Sequence, residues 1–331
     1  MSNRPRLTEK TIAFSQKTIF LPSFKQVKQL CIDVHKYSGI QPKIAVVLAP
    51  SHLGKSKALT HYYRTCNDNA NKINSDWAFT PKPCLYIELY SSTNLNGFLV
   101  QLLIELGIKN AKSSERLPDL KQQVISKLKL YKTEIILVDE VQHIVPKSGV
   151  SKTQQVADLI KTISNETKVP FILCGLPTSK RLFDVEEDIP KSTHVDETEK
   201  MQLANRKLPV LEIKPIPYSL NPNSIWNSLL ISYQQTLNDL EIPCVLLTSE
   251  ELSTRLWLSC LGVIGRLKYV LQETIEVFEC NKNQHSKMDI YCLSAAYDKV
   301  AGWAPPGQVN PFNASKAQIN RLLAKEVNDY G

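Results

Sequence analysis

The sequence lacks the features of a membrane or exported protein. Residues 1–4 read Met-Ser-Asn-Arg with no apolar segment behind them, and no later apolar run approaches the roughly 20 residues that a membrane-spanning helix needs. We therefore expect a soluble protein of the cytoplasm. A length of 331 residues allows two or three domains, each with its own buried core.

Paired cysteines are also missing. The eight cysteines occur singly, without any C-x-x-C pair, and most of them lie inside apolar runs. This distribution indicates reduced, buried thiols rather than a disulfide framework or a zinc site. The eight positions are Cys31, Cys66, Cys84, Cys174, Cys244, Cys260, Cys280 and Cys292.

Charge is plentiful but unevenly spread. Residues 1–43 contain eight Lys or Arg and two acids, residues 109–132 contain seven Lys or Arg and two acids, and residues 184–199 contain seven acids and one Lys. Basic blocks can bind the phosphates of nucleic acid, although most charge runs are solvated faces. Charge favours DNA binding without deciding it, and we expect the acidic run on an outer surface or against a basic partner.

Apolar runs and helical periodicity alternate along the first two thirds of the chain. Continuous apolar runs predict strands that are buried on both faces of a parallel sheet, at residues 44–48, 84–89, 135–138, 170–174 and 210–213. Helices are predicted at 98–106, 117–130 and 154–163, after an earlier helix with Ser23 as its cap and Gly39 beyond its end. Strands that alternate with helices of this length predict βαβ units.

The pattern becomes all helical beyond residue 217. Helices are predicted at 223–240, 249–259, 262–280 and 287–300, followed by an irregular linker at 303–312 and a short amphipathic helix carrying Ile319 and Leu323. The predicted fold class is therefore α/β, with a parallel five-stranded sheet and a C-terminal all-helical lid. The predicted domain bounds are a basic N-terminal segment with a helix at 1–42, a nucleotide-binding domain at 43–216, the lid at 217–300, and a linker with the C-terminal helix at 301–331.

A phosphate-binding loop directly follows the first strand. Residues 49–56 read Ala-Pro-Ser-His-Leu-Gly-Lys-Ser before a helical stretch, a Walker A pattern with alanine in place of its first glycine. Lys55 would bind the β and γ oxygens of ATP, and the Ser56 hydroxyl would bind magnesium. Ala49 and Pro50 require ordinary backbone dihedrals at the front of the loop. The residues expected to contact the nucleotide here are Pro50, Ser51, His52, Leu53, Gly54, Lys55, Ser56 and Lys57.

Two carboxylates follow the third strand. Asp139 and Glu140 come at its C-terminal end, which is the edge where parallel sheets bind ligands. Asp139 would complete the magnesium shell, and Glu140 would activate the attacking water as general base. A strand between the two motifs and an adjacent acidic pair are typical of AAA+ ATPases, whereas the N-K-x-D motif of GTPases is absent from the sequence.

Several further runs carry a family pattern. They read Leu-Val-Asp-Glu-Val-Gln-His at 137–143, Val-Pro-Phe-Ile-Leu-Cys-Gly-Leu-Pro at 169–177, Leu-Ala-Asn-Arg at 203–206, Gly-Val-Ile-Gly-Arg at 262–266 and Asn-Pro-Phe at 310–312. Together they resemble the TnsC/TniB family of transposition regulators over about residues 20–312. The missing Walker A glycine departs from that pattern and bears on the rate of hydrolysis more than on nucleotide binding. The resemblance leaves open whether the transposon is CRISPR-associated.

The resemblance implies an AAA+ ATPase that uses ATP and Mg²⁺ and assembles as a ring or helical filament around duplex DNA. It would link a target-selecting protein to the transposase and would not cut or join DNA itself. By their places in the family pattern, Arg206 is the candidate arginine finger from a neighbouring subunit, Arg266 the lid arginine, and Thr178 the polar sensor after the fourth strand. An exposed or capping side chain is the alternative interpretation of each.

The same resemblance directs the loops at 91–96 and 146–152 towards a central channel. Contacts there would position the protein on DNA without reading its sequence. The loop residues expected to meet DNA phosphates are Thr93, Asn94, Lys147 and Lys152, and Lys109 and Lys112 would extend the basic surface. His143 would either sense the nucleotide site from the turn after Glu140 or be a packed or solvent-facing histidine.

Two other functions remain open at this point. A P-loop kinase acting on a small molecule would need the same ATP motifs and a lid arginine, but an acceptor pocket in place of a subunit interface. A non-hydrolysing switch that only senses ATP is suggested by Ala49 and Pro50. ATP turnover that depends on a small acceptor would favour the kinase, and turnover insensitive to Glu140→Gln would favour the switch.

Overall fold

The computed structural model of the chain describes residues 7–73, 80–144, 150–180, 210–304 and 307–330. Contacts divide the chain into two compact units. One is Pro22–Ile213, which contains the sheet, and the other combines the segments on either side of it. The first helix, α1 (Glu9–Gln16), belongs to the second unit although it precedes the sheet in sequence.

The α/β unit alternates strands and helices as the apolar pattern predicted. Its elements are α2 (Pro22–His35), β1 (Ile44–Leu48), α3 (Lys55–Ile73), β2 (Cys84–Glu88), α4 (Leu95–Glu105), α5 (Leu117–Leu130), β3 (Ile135–Asp139), α6 (Val150–Thr167), β4 (Phe171–Gly175) and β5 (Leu211–Glu212). The five strands form one parallel sheet in the order β2-β3-β4-β1-β5. The predicted parallel five-stranded sheet is confirmed.

The sheet order places β4 between β1 and β3. Leu48, the last residue of β1, pairs with Gly175, while Val138 near the end of β3 pairs with Leu173. The C-terminal ends of β1 and β3 therefore lie at the same edge, one strand apart. The core beside them consists of apolar side chains from the strands and from α4, α5 and α6, including the fully buried Phe98 and Leu128.

Helix ends in this unit follow local chemistry, and two expectations were wrong. Helix α2 begins at Pro22, because proline is well suited to a first helical position, so Ser23 lies inside the first turn and is not the cap. Helix α4 begins three residues before the predicted start, since the Asn94 side chain accepts a hydrogen bond from the Gly97 N–H at 2.8 Å. Gly39 has the expected left-handed backbone, with φ of 74°.

The regular structure of the other unit is helical in the described residues, apart from one isolated β-bridge between Cys244 and Met288. It contains α1, α7 (Ile225–Asp239), α8 (Glu250–Cys260), α9 (Ile264–Cys280), α10 (Ile290–Val300) and α11 (Lys316–Tyr330). Two buried tryptophans anchor its core, and each indole N–H has a partner: Trp226 donates to the Ser253 hydroxyl at 3.0 Å and Trp257 to the Ile216 carbonyl at 2.9 Å. The predicted all-helical C-terminal region is confirmed.

The late Asn-Pro-Phe run is anchored within the helical unit. The buried guanidinium of Arg255 donates to the Pro311 carbonyl at 2.5 Å and to the Ala314 carbonyl at 2.9 Å, and it also pairs with Glu251. The Asn310 amide donates to the Ser294 carbonyl at 3.1 Å. These contacts fix the chain that leads into α11.

The cysteines are reduced, as their spacing predicted. All eight cysteines are free thiols; five of them are buried, and Cys280 is exposed. Among the described residues, no helix combines the length and the apolar character needed to cross a membrane.

Candidate nucleotide site

The loop between β1 and α3 has the backbone that its sequence requires. Left-handed φ values fall at His52 (66°) and Gly54 (85°), whereas neither Ala49 nor Pro50 has a positive φ. Glycine adopts such values at little cost, and a Cβ built on Gly54 meets nothing within 4 Å. The first glycine of the usual motif is therefore dispensable for the shape of this loop.

Lys55 is buried under that loop. Only 5% of the residue is exposed, and its ammonium donates to the Ala49 carbonyl at 2.7 Å and to the Pro50 carbonyl at 2.9 Å. A buried charge needs such partners. Leu53 packs inward, while Ser51, His52, Ser56 and Lys57 are exposed around the start of α3.

Asp139 ends β3 and is completely buried. One carboxylate oxygen, Oδ1, accepts from the backbone N–H of Glu140 at 2.9 Å, and the other, Oδ2, accepts from the Tyr86 hydroxyl at 3.2 Å. Burial, followed by the charge of Asp139, raises the pKa of Tyr86, so this phenol remains a neutral donor. Burial, with Asp139 beside it, likewise raises the pKa of the Cys174 thiol on β4.

Glu140 begins the turn after β3 in a left-handed conformation, with φ of 55° and ψ of 39°. Its side chain is 31% exposed. The Gln142 side-chain amide donates to Glu140 Oε2. His143 Nε2 lies 4.0 Å from the same oxygen, beyond hydrogen-bond distance. Its half-buried ring is compatible with a packed or solvent-facing histidine as well as with a sensing role.

These residues fit ATP and magnesium. A buried lysine held by loop carbonyls can exchange them for phosphate oxygens, and the exposed N-terminus of a long helix favours anions. Ser56 and Asp139 offer the hydroxyl and the carboxylate that a magnesium ion prefers. The loop and the two carboxylates occupy the same sheet edge, as the strand order requires.

Thr178 is the candidate polar sensor, and the structure gives its position. Thr178 lies in a short 3-10 helix, Pro177–Lys180, directly after β4, and it is exposed. Its neighbour Ser179 is fully buried against Gly175. The role of Thr178 stays a prediction.

Of the two candidate arginines, only Arg266 lies among the described residues. Arg266 lies in the first turn of α9 in the helical unit, and its guanidinium carbon is 5.6 Å from the centre of the Trp303 ring. Arg206 lies outside the described residues. Their roles toward a nucleotide remain predictions.

The candidate DNA-contacting residues cluster in part. The amide of Asn96 donates to the carbonyls of Ser113 and Glu115, both at 2.9 Å, which joins the start of α4 to the loop that carries Lys112. Lys109 and Lys112 are exposed. Thr93 is half-buried, and Asn94 is exposed although its side-chain oxygen caps α4. Lys147 lies outside the described residues, and Lys152 is placed only as a backbone position of α6.

A second group with metal-ligand chemistry lies in the helical unit. The ligand atoms of His285, Asp289 and Cys292 lie within 4.8 Å of one another. Asp289 Oδ1 already accepts from two N–H groups at the start of α10, each at 3.0 Å, and Oδ2 is 3.2 Å from His285 Nδ1. A helix cap with a histidine partner accounts for this group.

Sequence reasoning did not find Tyr86 or Gln142. Tyr86 lies 53 residues before Asp139 and meets it only because β2 pairs with β3. For Gln142 a signal was present, since it is a polar residue two positions after Glu140 inside the run at 137–143.

Comparison with known proteins gives one family match. The family model described as "Bacterial TniB protein" matches residues 15–193, more than half of the chain. No curated protein sequence matches the chain.

Two solved structures illustrate the likeness of the fold. CDC6P from Pyrobaculum aerophilum superposes with a TM-score of 0.60 at 10% identity, over 98% of this chain and 86% of that one. The ORC2 protein of Aeropyrum pernix in its ADP form superposes with a TM-score of 0.58 at 12% identity, over 89% of this chain and 73% of that one. At this identity the likeness concerns the fold alone, and it agrees with the predicted parallel α/β core followed by a helical region.

Proposed function

The chain belongs to the TniB family of bacterial P-loop ATPases, and on that premise we propose that it is an ATP-dependent, DNA-binding regulator of transposition. In this proposal it oligomerises on duplex DNA when ATP is bound. It connects a target-selecting protein to the transposase, and it has no nuclease or strand-transfer activity of its own.

The observation that carries the proposal is that two ATP-site motifs lie at the same edge of the sheet. The Lys55 loop follows β1 and the Asp139-Glu140 pair follows β3, with only β4 between them. A small-molecule kinase could also use this edge. The family match and the exposed lysines next to α4 favour the DNA-bound regulator.

Each residue has a defined chemical task in this proposal. Lys55 exchanges the Ala49 and Pro50 carbonyls for phosphate oxygens, and the N-terminus of α3 adds its N–H groups. Ser56 and Asp139 hold magnesium, which neutralises charge on the phosphates when it is bound. Glu140 accepts the proton of the attacking water, and Arg206 of a neighbouring subunit stabilises charge on the transferred phosphoryl group.

DNA would lie along the exposed basic residues beside α4. Lys109 and Lys112 would neutralise backbone phosphates. Asn94 would donate from its amide nitrogen, since its oxygen caps α4, and the Thr93 hydroxyl would exchange the Tyr90 carbonyl for a phosphate oxygen. Such contacts release counterions, so binding should weaken steeply with salt.

Electron microscopy tests the assembly directly. The protein is imaged with duplex DNA and a non-hydrolysable ATP analogue, and without either one. Rings or filaments that need both components are expected, whereas monomers under every condition would contradict the proposal.

Two substitutions test the assignment of the ATP site. Lys55→Ala should abolish binding of a fluorescent ATP analogue, because the phosphate charge then has no buried cation. Glu140→Gln should retain binding but lower the turnover number by about 100-fold or more. Lys316→Ala, at an exposed residue of α11, is the control expected to leave both unchanged. Unchanged turnover in Glu140→Gln would favour the non-hydrolysing switch.

A further inference from the structure

We propose that Gln142 is a positioning residue for hydrolysis, holding the Glu140 carboxylate in place by tying it to the chain after β4. This inference rests on the proposed ATPase function. It assigns Gln142 a role through Glu140 and no contact of its own with the nucleotide.

Gln142 uses both ends of its amide. The nitrogen donates to Glu140 Oε2, and the oxygen accepts from the backbone N–H of Leu176 at 3.1 Å. A carboxylate can only accept and a backbone N–H can only donate, so the two partners define which way the amide points. The side chain therefore bridges the turn after β3 to the residue that follows β4.

The space around this bridge is filled. A Cβ built on Gly175 would lie 2.7 Å from Val141 Cγ1 and from Ser179 Oγ, and 2.8 Å from Gln142 Oε1. Real Cβ contacts are essentially never that short. The glycine thus leaves room for the amide oxygen to reach Leu176, and a larger residue at 175 would displace the amide.

The conformation of Glu140 depends on contacts with other residues, because its own backbone conformation is unfavourable. It lies in the left-handed region, which is unfavourable for a residue with a Cβ. Non-glycine residues in this region persist where surrounding contacts define them, and they are often found at active sites. Gln142 supplies a direct hydrogen bond to the Glu140 side chain, whereas His143 at 4.0 Å is too distant to do so.

Position matters for a general base. The base must lie within hydrogen-bond reach of the water it deprotonates, and a displacement of about 1 Å can cost about 100-fold in rate. Removing the Gln142 amide leaves Glu140 chemically intact but free to rotate. The expected defect is therefore in turnover and not in ATP affinity.

Gln142→Met is the test variant, because methionine is similarly long and unbranched but has no amide. The turnover number should fall by about 10- to 100-fold. KM for ATP and the affinity for a non-hydrolysable analogue should stay within about twofold. Gln29→Met is the matched control, since Gln29 makes the same kind of bond, to Asp33 at 3.0 Å, on the surface of α2; its turnover should be unchanged.

A double-mutant cycle with Glu140→Gln shows whether Gln142 acts through Glu140. If it does, Gln142→Met should cause no further loss of turnover in the Glu140→Gln background. An equal loss in both backgrounds, or wild-type turnover in Gln142→Met while Glu140→Gln is inactive, would overturn the inference alone. Full turnover in Glu140→Gln would overturn the assigned base, and the inference with it.

Thermal unfolding of each variant separates these outcomes from misfolding, and Gln142→Asn provides a second variant that folds with an amide too short to bridge.

Discussion

Single residues at the nucleotide site show how buried charge is accommodated. Lys55 has two carbonyl partners, and Asp139 has one N–H and one hydroxyl partner. Each unpaired buried charge would otherwise cost several kcal/mol. These partners therefore hold both charged groups in place, and in the proposed function Lys55 exchanges its carbonyls for phosphate oxygens.

Glycine at 262 is required by a close approach of two chain segments. Its φ is 70°, and a Cβ built there would lie 2.0 Å from the Ile216 carbonyl oxygen. That oxygen accepts from the Trp257 indole, and Ile216 N–H donates to the Gly262 carbonyl at 2.9 Å. An added methyl group cannot be accommodated without breaking these bonds.

Gly262→Ala should lower the free energy of unfolding of the helical unit by about 3 kcal/mol. Denaturant unfolding followed by tryptophan fluorescence measures it. Gly307→Ala is the matched control, because its φ is 80° but its added Cβ meets nothing within 4 Å. The control should lose only about 1 kcal/mol. Equal losses in the two variants would show that backbone strain, and not the clash with Ile216, explains the effect.

At the scale of elements, α9 holds α1 at both ends: Lys268 donates to the Ser15 carbonyl at the end of α1, and Glu276 binds its start. Glu276 Oε2 accepts from the Thr11 hydroxyl at 2.7 Å, and from the Thr8 backbone N–H and hydroxyl at 3.1 Å each. Burial raises the pKa of Glu276, but the hydrogen bonds from Thr11 and Thr8 outweigh it, and the pKa is lowered overall. Because the pKa of Glu276 is lower in the folded state, its ionisation stabilises the fold at pH values above the ordinary pKa of a glutamate. This stabilisation is lost as the pH falls through the pKa of the folded state.

Thr11→Val should therefore have a pH-dependent cost. Valine keeps the shape of the side chain but removes the donor, which should cost about 1–2 kcal/mol at neutral pH, where Glu276 is charged. The difference from wild type should shrink below about pH 4. Chemical denaturation across this range gives both values.

Thr236→Val is the control for this prediction. The Thr236 hydroxyl donates to the Ser232 carbonyl at 2.8 Å and meets no carboxylate there. Its cost should be the same at every pH. A pH-independent cost for Thr11→Val would mean that the charge of Glu276 does not hold α1.

At the scale of the whole molecule, the proposed function depends on surface charge and on neighbouring subunits. A net charge of +8 attracts polyanions in general, and the proposal locates that attraction at Lys109 and Lys112, near the loop that Asn96 of α4 binds. The predicted arginine finger belongs to another subunit. The proposed unit of activity is consequently an assembly on DNA.

Reversing two charges tests the location. The double variant Lys109→Glu and Lys112→Glu should weaken binding to a duplex of arbitrary sequence by about tenfold or more at roughly 0.1 M salt. The slope of log affinity against log salt should become shallower by about 1–2. Fluorescence anisotropy measures both. Lys316→Glu makes the same charge change per site on α11, and an equal effect there would indicate attraction by net charge alone.

Much of the fold could be predicted because it is encoded locally. Strands buried on both faces are continuous apolar runs, and the Walker motifs are contiguous, so β1, β3 and the loop at 49–56 were identified within a residue or two. Helix starts were less accurate, since caps such as Asn94 act over three residues and compete with hydrophobic periodicity. Helix α1 was not identified, because its packing partner α9 lies about 260 residues away in sequence.

The sequence by itself determined the class of chemistry: a lysine and a serine at a helix start, and two acids after a buried strand, act through a few adjacent residues. The tertiary structure alone decided how those groups are held. Tyr86 reaches Asp139 through the pairing of β2 with β3, and Gln142 reaches Leu176 because β3 and β4 are neighbours in the sheet. Contacts between distant residues depend on strand order and packing, which no local pattern specifies.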